Sequence, residues 1–265
     1  MTDAQDVVLR ERRGRVEIVT INRPEARNAI NFETSAALAD AFDDIEADDD
    51  VWAAVLTGAG DKAFCAGMDL KAFAGGGGGN PMGVSGGFGG ITTRDFPKAL
   101  IAAVNGHALA GGFEIMLACD MVVAADHATF GIPEVKRGLV AGAGGIIRIA
   151  KRVSLAQALE LGMTGDAVDA EAASALGLVN RVVPGPEVLD TAIALAERIC
   201  DAAPLAVRAT KRVIKASLEV PESEAWKIQG EAASEVFRSP DALEGATAFA
   251  EKRTPQWTGH LRTRA

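Results

Sequence analysis

Three apolar runs of strand length constrain this chain's fold more than any other feature. They are Val51–Gly58 (VWAAVLTG), Ile101–His107 (IAAVNGH) and Asp120–Asp126 (DMVVAAD). Each reads as a buried strand rather than as the alternating pattern of a half-exposed one. Upstream, Arg15–Asn22 (RVEIVTIN) reads as another strand, with a partner just before it. Between Asn22 and Val51 the period changes. Leu38, Ala41, Phe42 and Ile45 fall at i, i+3, i+4 and i+7, the inner stripe of a helix from about Phe32 to Ala47. Beyond Glu187 helical spacing takes over, with Leu189, Ala192, Ile193, Ala196 and Cys200 on one stripe. Further helices read through Ala206–Leu218, Glu222–Phe237 and Asp241–Ala250, punctuated by Pro204, Pro221 and Pro240. The expectation is an α/β body over residues 1–186 and a helical region over 187–265, packed on the body or on another subunit.

The chain's 265 residues suffice for a substantial core. A net charge of −9 argues against binding a polyanion over a broad face, and the absence of tyrosine argues against stacking of bases. Nucleic acid is therefore not an expected partner, although a local basic pocket for one phosphorylated small molecule remains open. The apolar stretch Ala99–Ala125 is broken by Asn105, His107, Glu114 and Asp120, so no membrane span is expected. The N-terminus has neither a basic nor an apolar leader segment, and Cys65, Cys119 and Cys200 sit in apolar contexts. Both point to a cytoplasmic protein with free thiols. The histidines His107, His127 and His260 have no ligand spacing, and no metal site is expected.

Residues Ala74–Gly90 (AGGGGGNPMGVSGGFGG) are too rich in glycine to favour a helix or strand. They read as a flexible insertion, either a surface loop or a mobile wall of a site. No G-x-G-x-x-G lies between a strand and a helix, and no lysine follows a glycine loop, so a nucleotide-phosphate cradle is missing. Ser85 in GVSGG matches a nucleophile elbow in letters only, without the strand and helix that the elbow needs.

Three other segments share a chemical sense. In Ala63–Phe73 (AFCAGMDLKAF) small residues turn a chain end into a helix start, so a backbone N–H can face a cavity. In Ala108–Glu114 (ALAGGFE) Gly111 can present its N–H at a helix N-terminus, where the dipole favours negative charge. Two such donors converging on one point form an oxyanion hole. In Phe130–Gly145 (FGIPEVKRGLVAGAGG) Pro133 fits a helix start with Glu134 in its first turn, and Gly142–Gly145 offers another open N-terminus. Glu114 and Glu134 are thus two carboxylates on apolar segments beside two donor loops.

With INRPEARNAIN, NGHALAGGFEIMLACD, MTGDAVDAEAASALGLVNRVV and AFAEKR, these segments resemble the crotonase (enoyl-CoA hydratase/isomerase) superfamily over nearly the whole chain. The resemblance implies an α/β spiral of ββα units with a C-terminal helical trimerisation region, acyl-CoA as substrate, and a homotrimer or hexamer. It implies no cofactor, since coenzyme A is part of the substrate. It puts the oxyanion hole on the N–H groups of Ala66 and Gly111, and the catalytic carboxylates on Glu114 and Glu134. Gly142 would aim a helix N-terminus at the thioester. Ala66, Met68, Asp69 and Leu70 would border the adenine, Arg27 would lie near the CoA phosphates, and Lys252 would reach a neighbour's CoA. On this reading the glycines before Glu114 are there because a Cβ would crowd the thioester oxygen. Ala141, Phe113 and the glycine loop depart from the family's pattern, Phe113 in a way expected to narrow the pocket. GGFE and AFAEKRTPQW also resemble the carnitinyl-CoA dehydratase branch. The implied activity is hydration of a 2-enoyl-CoA. The alternatives are carnitinyl-CoA dehydration, Δ3,Δ2-enoyl-CoA isomerisation, or an acyl-CoA-binding relic without catalysis.

Overall fold

The computed structural model describes residues 6–75 and 79–260. Strands β1 (Val8–Arg13), β2 (Val16–Ile21) and β3 (Ala53–Gly58) are followed by the short β4 (Ala63–Cys65). Then come β5 (Ala99–Val104), β6 (His107–Leu109), β7 (Met121–Ala125), β8 (Thr129–Gly131), β9 (Val168–Asp169) and β10 (Arg181–Val183). They form two sheets. The larger has the order β1-β2-β3-β5-β7-β10 and the smaller β4-β6-β8-β9. In the larger sheet every pair beyond β1–β2 is parallel. The chain climbs as a spiral: β3, β5 and β7 each enter the large sheet, and β4, β6 and β8 then step into the small one. β3 and β5 are buried along their whole length, which explains their unbroken apolar sequence.

The run Ile101–His107 is therefore not one strand. Asn105 bends it by donating to Gly58 O and Gly60 O, both at 2.7 Å, and His107 restarts it in the other sheet. The step between sheets brings the ends of β4, β6 and β8 side by side, and the site forms there.

Helix α1 (Phe32–Ala47) buries Leu38, Ala41, Phe42 and Ile45 as its spacing predicts, and Asn31 caps it by accepting from Thr34 N. α2 spans Leu70–Ala74 and α3 spans Gly111–Ala118. α4 (Gly145–Arg152), α5 (Leu155–Thr164) and α6 (Ala170–Ala175) follow. α7 (Val188–Cys200) turns Ala192, Ile193 and Ala196 inward against β3, β5 and β7, so the body's core continues past Glu187. α8 (Pro204–Ser217), α9 (Glu222–Phe237) and α10 (Pro240–Glu251) carry few buried residues. They leave Leu218, Trp226, Phe237, Leu243 and Phe249 exposed, Phe249 by 88%.

The glycine-rich segment corrects an expectation. Its far end is not a free loop, because Phe88–Gly90 forms a buried 3-10 turn against α1 and α3. Ser35 pins it, donating to Pro81 O at 2.6 Å and accepting from Gly89 N at 2.9 Å. Arg94 closes it, with Nε on Gly90 O at 2.8 Å and Nη1 on Asp43 at 2.6 Å. Ser85 lies beside this latch, 3.3 Å from Arg94 Nη2. Gly76–Gly78 fall outside the described residues.

No described helix is long and apolar enough to cross a membrane. No group of three metal-ligating side chains occurs among the described residues. Burial pushes the Cys65 and Cys119 thiols up to about 12, which keeps them protonated.

Candidate active site

A cavity of about 370 Å³ opens where β4, β6 and β8 end. Arg27, Ala66, Met68, Leu70, Gly111, Glu114, Glu134 and Gly142 all line it. Of the residues singled out from sequence, the structure keeps two apart. Asp69 pairs with Arg23 at 3.0 Å and accepts from Lys71 N and Ala72 N, so it caps α2 rather than facing the cavity. Lys252 is the exposed C-cap of α10 and does not line the cavity within its own chain.

The donor on the β4 side is corrected by two residues. Ala66 N–H is already spent, donating to Arg27 O at 3.1 Å. Gly67 O accepts from Ile30 N at 2.8 Å, and Asp69 N donates to Ile30 O at 2.9 Å. The N–H between them, on Met68, makes no hydrogen bond among the described residues, and Met68 lines the cavity. Sequence spacing could not separate these neighbours; the path of the Arg23–Ile30 segment decides between them. Asn28 fixes that path, donating to Ala63 O at 2.7 Å and Ala59 O at 3.0 Å.

Gly111 starts α3, so its N–H has no partner within the helix. The two donor segments touch: a Cβ on Gly67 would lie 3.0 Å from Gly111 N and 2.8 Å from Ala110 Cβ. The reason for the paired glycines also needs correction. A Cβ on Gly112 would meet Cys65 O at 2.0 Å, and one on Gly111 would meet the Phe88 ring at 2.4 Å. The protein's own packing demands the glycines before any ligand does. Ala110, with φ 53° and ψ −130°, caps α3 in a backbone region that an L-residue rarely adopts.

Glu114 is 3% exposed. Its Oε1 accepts from Ala143 N at 2.7 Å and Gly145 N at 2.8 Å, at the start of α4. Burial raises its pKa above the usual glutamate range, against these two amides, which favour the charged form. The two bonds leave Oε2 without a partner among the described residues. Glu134 sits in the 3-10 turn Pro133–Arg137, and its Oε2 is buried with no partner among the described residues. Burial raises its pKa first, and the nearby Glu114 charge raises it further. So Glu114 is fixed by two amides while Glu134 keeps a free oxygen, and burial favours the protonated form of both.

Sequence spacing did not single out Arg148, which supports the Ala143–Gly145 turn. Its Nη2 donates to Thr92 O at 2.5 Å and its Nη1 to Ala143 O at 3.3 Å. Only its place four residues beyond Gly144 on the coming helix could have hinted at this. Phe113 does not narrow the cavity. It points into the core against Phe130, with ring centroids 6.2 Å apart.

Two amide donors and two carboxylates around one cavity have the chemistry to stabilise charge on a carbonyl oxygen while protons move beside it. The chain belongs to the enoyl-CoA hydratase/isomerase family, whose model matches residues 11–260. Enzymes of this family act on CoA thioesters. The chain is 52% identical to an enoyl-CoA hydratase structure from Mycobacterium marinum, with a TM-score of 0.93, covering 97% of this chain and all of that one. A carnitinyl-CoA hydratase structure from Mycobacterium avium shares 46% identity at a TM-score of 0.77, with 97% and 100% covered. The carnitinyl-CoA dehydratase of Proteus mirabilis (strain HI4320) is 42% identical over 252 residues, 93% of this chain and 96% of that protein.

Proposed function

We propose that the chain hydrates a 2-enoyl-CoA thioester to a 3-hydroxyacyl-CoA, reversibly. One observation carries the reading: two carboxylates, Glu114 held by two backbone amides and Glu134 with a buried unpaired oxygen, line one cavity with N–H groups of Met68 and Gly111 that are unengaged among the described residues. The thioester oxygen accepts from both N–H groups. Glu114 takes a proton from water as the water oxygen bonds to the β-carbon, and the alkene electrons move onto the thioester oxygen as an enolate. The enolate collapses and its α-carbon takes a proton from Glu134. The net change is the addition of one water. The two glutamates act as a coupled pair and exchange a proton before the next turnover. An isomerase needs only one carboxylate, so the buried, partnerless Glu134 Oε2 favours hydration.

Crotonyl-CoA and 3-hexenoyl-CoA separate these readings. Hydration removes the ultraviolet absorbance of the conjugated thioester in crotonyl-CoA, with a 3-hydroxyacyl product. Conversion of 3-hexenoyl-CoA alone, with crotonyl-CoA untouched, would favour the isomerase.

The exposed apolar side chains of α8–α10 support a trimer or hexamer, in which Lys252 approaches a neighbouring subunit's CoA. On this reading Lys252→Ala weakens binding of butyryl-CoA by roughly fivefold, the scale of an exposed charge contact. Binding of butyryl-pantetheine, which lacks the nucleotide phosphates, stays unchanged. Equal weakening of both ligands in titration calorimetry rejects the role.

A further inference from the structure

Two cations line the cavity, Arg27 and Arg137. Arg27 is bonded through its carbonyl to Ala66. Arg137 closes the turn that carries Glu134 and is followed by the cavity residues Leu139 and Val140. On the proposed reading a thioester held by Met68 and Gly111 has its reacting carbons beside the two glutamates, and a longer acyl group continues past Glu134 along this turn. Met82 lines the cavity as well, and a Cβ on Gly142 would lie 3.6 Å from its methyl group.

Arg137 stands out for what it does not do. It makes no ion pair among the described residues, and its one hydrogen bond is a long 3.5 Å contact from Nη1 to Pro133 O. Its neighbour Lys136 is paired with Asp166 at 2.5 Å. Its charge draws the Glu134 carboxyl downward, against burial. Met82, Leu139 and Val140, which also line the cavity, are apolar. An unpaired guanidinium at the rim of an apolar acyl channel suits a ligand that brings its own negative charge. It equally opposes one that brings a positive charge.

We propose that Arg137 reads the distal end of the acyl group, favouring a terminal carboxylate and rejecting a quaternary ammonium. This deepens the hydratase reading and rests on it for the direction of the acyl group. It also separates the chain from its carnitinyl-CoA relatives, because a carnitinyl group carries a trimethylammonium. The charge of Arg137 would set the two against each other.

Three saturated ligands that differ only at the fourth acyl carbon test the idea: butyryl-CoA, glutaryl-CoA and 4-trimethylammoniobutyryl-CoA. Titration calorimetry should show glutaryl-CoA binding roughly tenfold tighter than the ammonium ligand, with butyryl-CoA between them. Arg137→Gln should level the three, Arg137→Lys should keep the order, and Arg137→Glu should reverse it. The turn is exposed, and unchanged binding of free CoA checks that each variant is folded. An unaltered order in Arg137→Gln overturns the proposal. So does an equal weakening of all three ligands and free CoA, which would assign the guanidinium to the nucleotide phosphates. None of the ligands reacts, so the charge preference stands or falls independently of turnover. Failure to hydrate crotonyl-CoA with the preference intact would strike only the reaction, and the converse would strike only Arg137.

Discussion

Glu114→Gln lowers kcat for crotonyl-CoA hydration by about 10²-fold or more, the range that a positioned acid or base contributes. Glutamine keeps the oxygen that accepts from Ala143 and Gly145, so the turn and binding of butyryl-CoA stay intact. What is lost is the ability to take a proton from water. Glu134→Gln lowers kcat on a similar scale for the opposite reason, because it removes the proton donor. The pH profile distinguishes the two. In the unmodified protein activity falls as pH drops through the raised Glu114 value, above the usual glutamate range, since the base must be ionised. It falls again as pH rises past the point where Glu134 loses its proton, which burial and the Glu114 charge push upward. Glu134→Gln should abolish the upper limb and keep the lower. If either variant retains near-full turnover, the two-carboxylate mechanism is wrong.

A second large effect is expected far from any titratable group. Gly112→Ala places a methyl carbon 2.0 Å from Cys65 O, which is backbone and cannot swing away. The clash must be relieved by parting α3 from β4, at about 3 kcal/mol, the upper part of the overpacking range. For a chain of this size the melting midpoint falls by roughly 5–10 °C. The same parting moves Gly111 N away from Met68 N, so kcat drops even in the fraction that stays folded. Gly230→Ala is the comparison. It sits in α9 with nothing within 4 Å of the added carbon, and alanine there should leave stability equal or slightly raised. Equal melting midpoints for the two variants would show that the β4–α3 seam tolerates separation.

How much of this was legible in sequence depended on the range of the signal. The stripe Leu38–Ala41–Phe42–Ile45 marked α1 because burial against a sheet imposes the helical period on one segment. The two carboxylates were legible because a charge in an apolar run is costly unless it is used or paired. The sequence points to Ala66 as the donor and not to Met68. Both are cavity residues on small-residue backbone, and only a hydrogen bond from Ala66 to Arg27, far back in the chain, removes one of them. The second sheet was missed for a related reason: β4, β6 and β8 are three residues each, too short for any periodicity. The glycine run misled because composition reports conformational freedom without reporting anchors. Ser35 and Arg94, which hold its far end, lie outside it.

The polarising element described above is made of main chain, and that bears on how such a protein can diverge. An amide N–H is carried by every residue except proline, so any other substitution at Met68 or Gly111 keeps the donor and can only shift it. The carboxylates, and the side chains at the rim, are exchangeable letter by letter. Heritable variation therefore falls unevenly on this site. On the proposed reading, a change of side chain alone leaves the means of holding charge on an oxygen in place, while the groups that choose the proton's path and meet the substrate's far end can be rewritten one residue at a time.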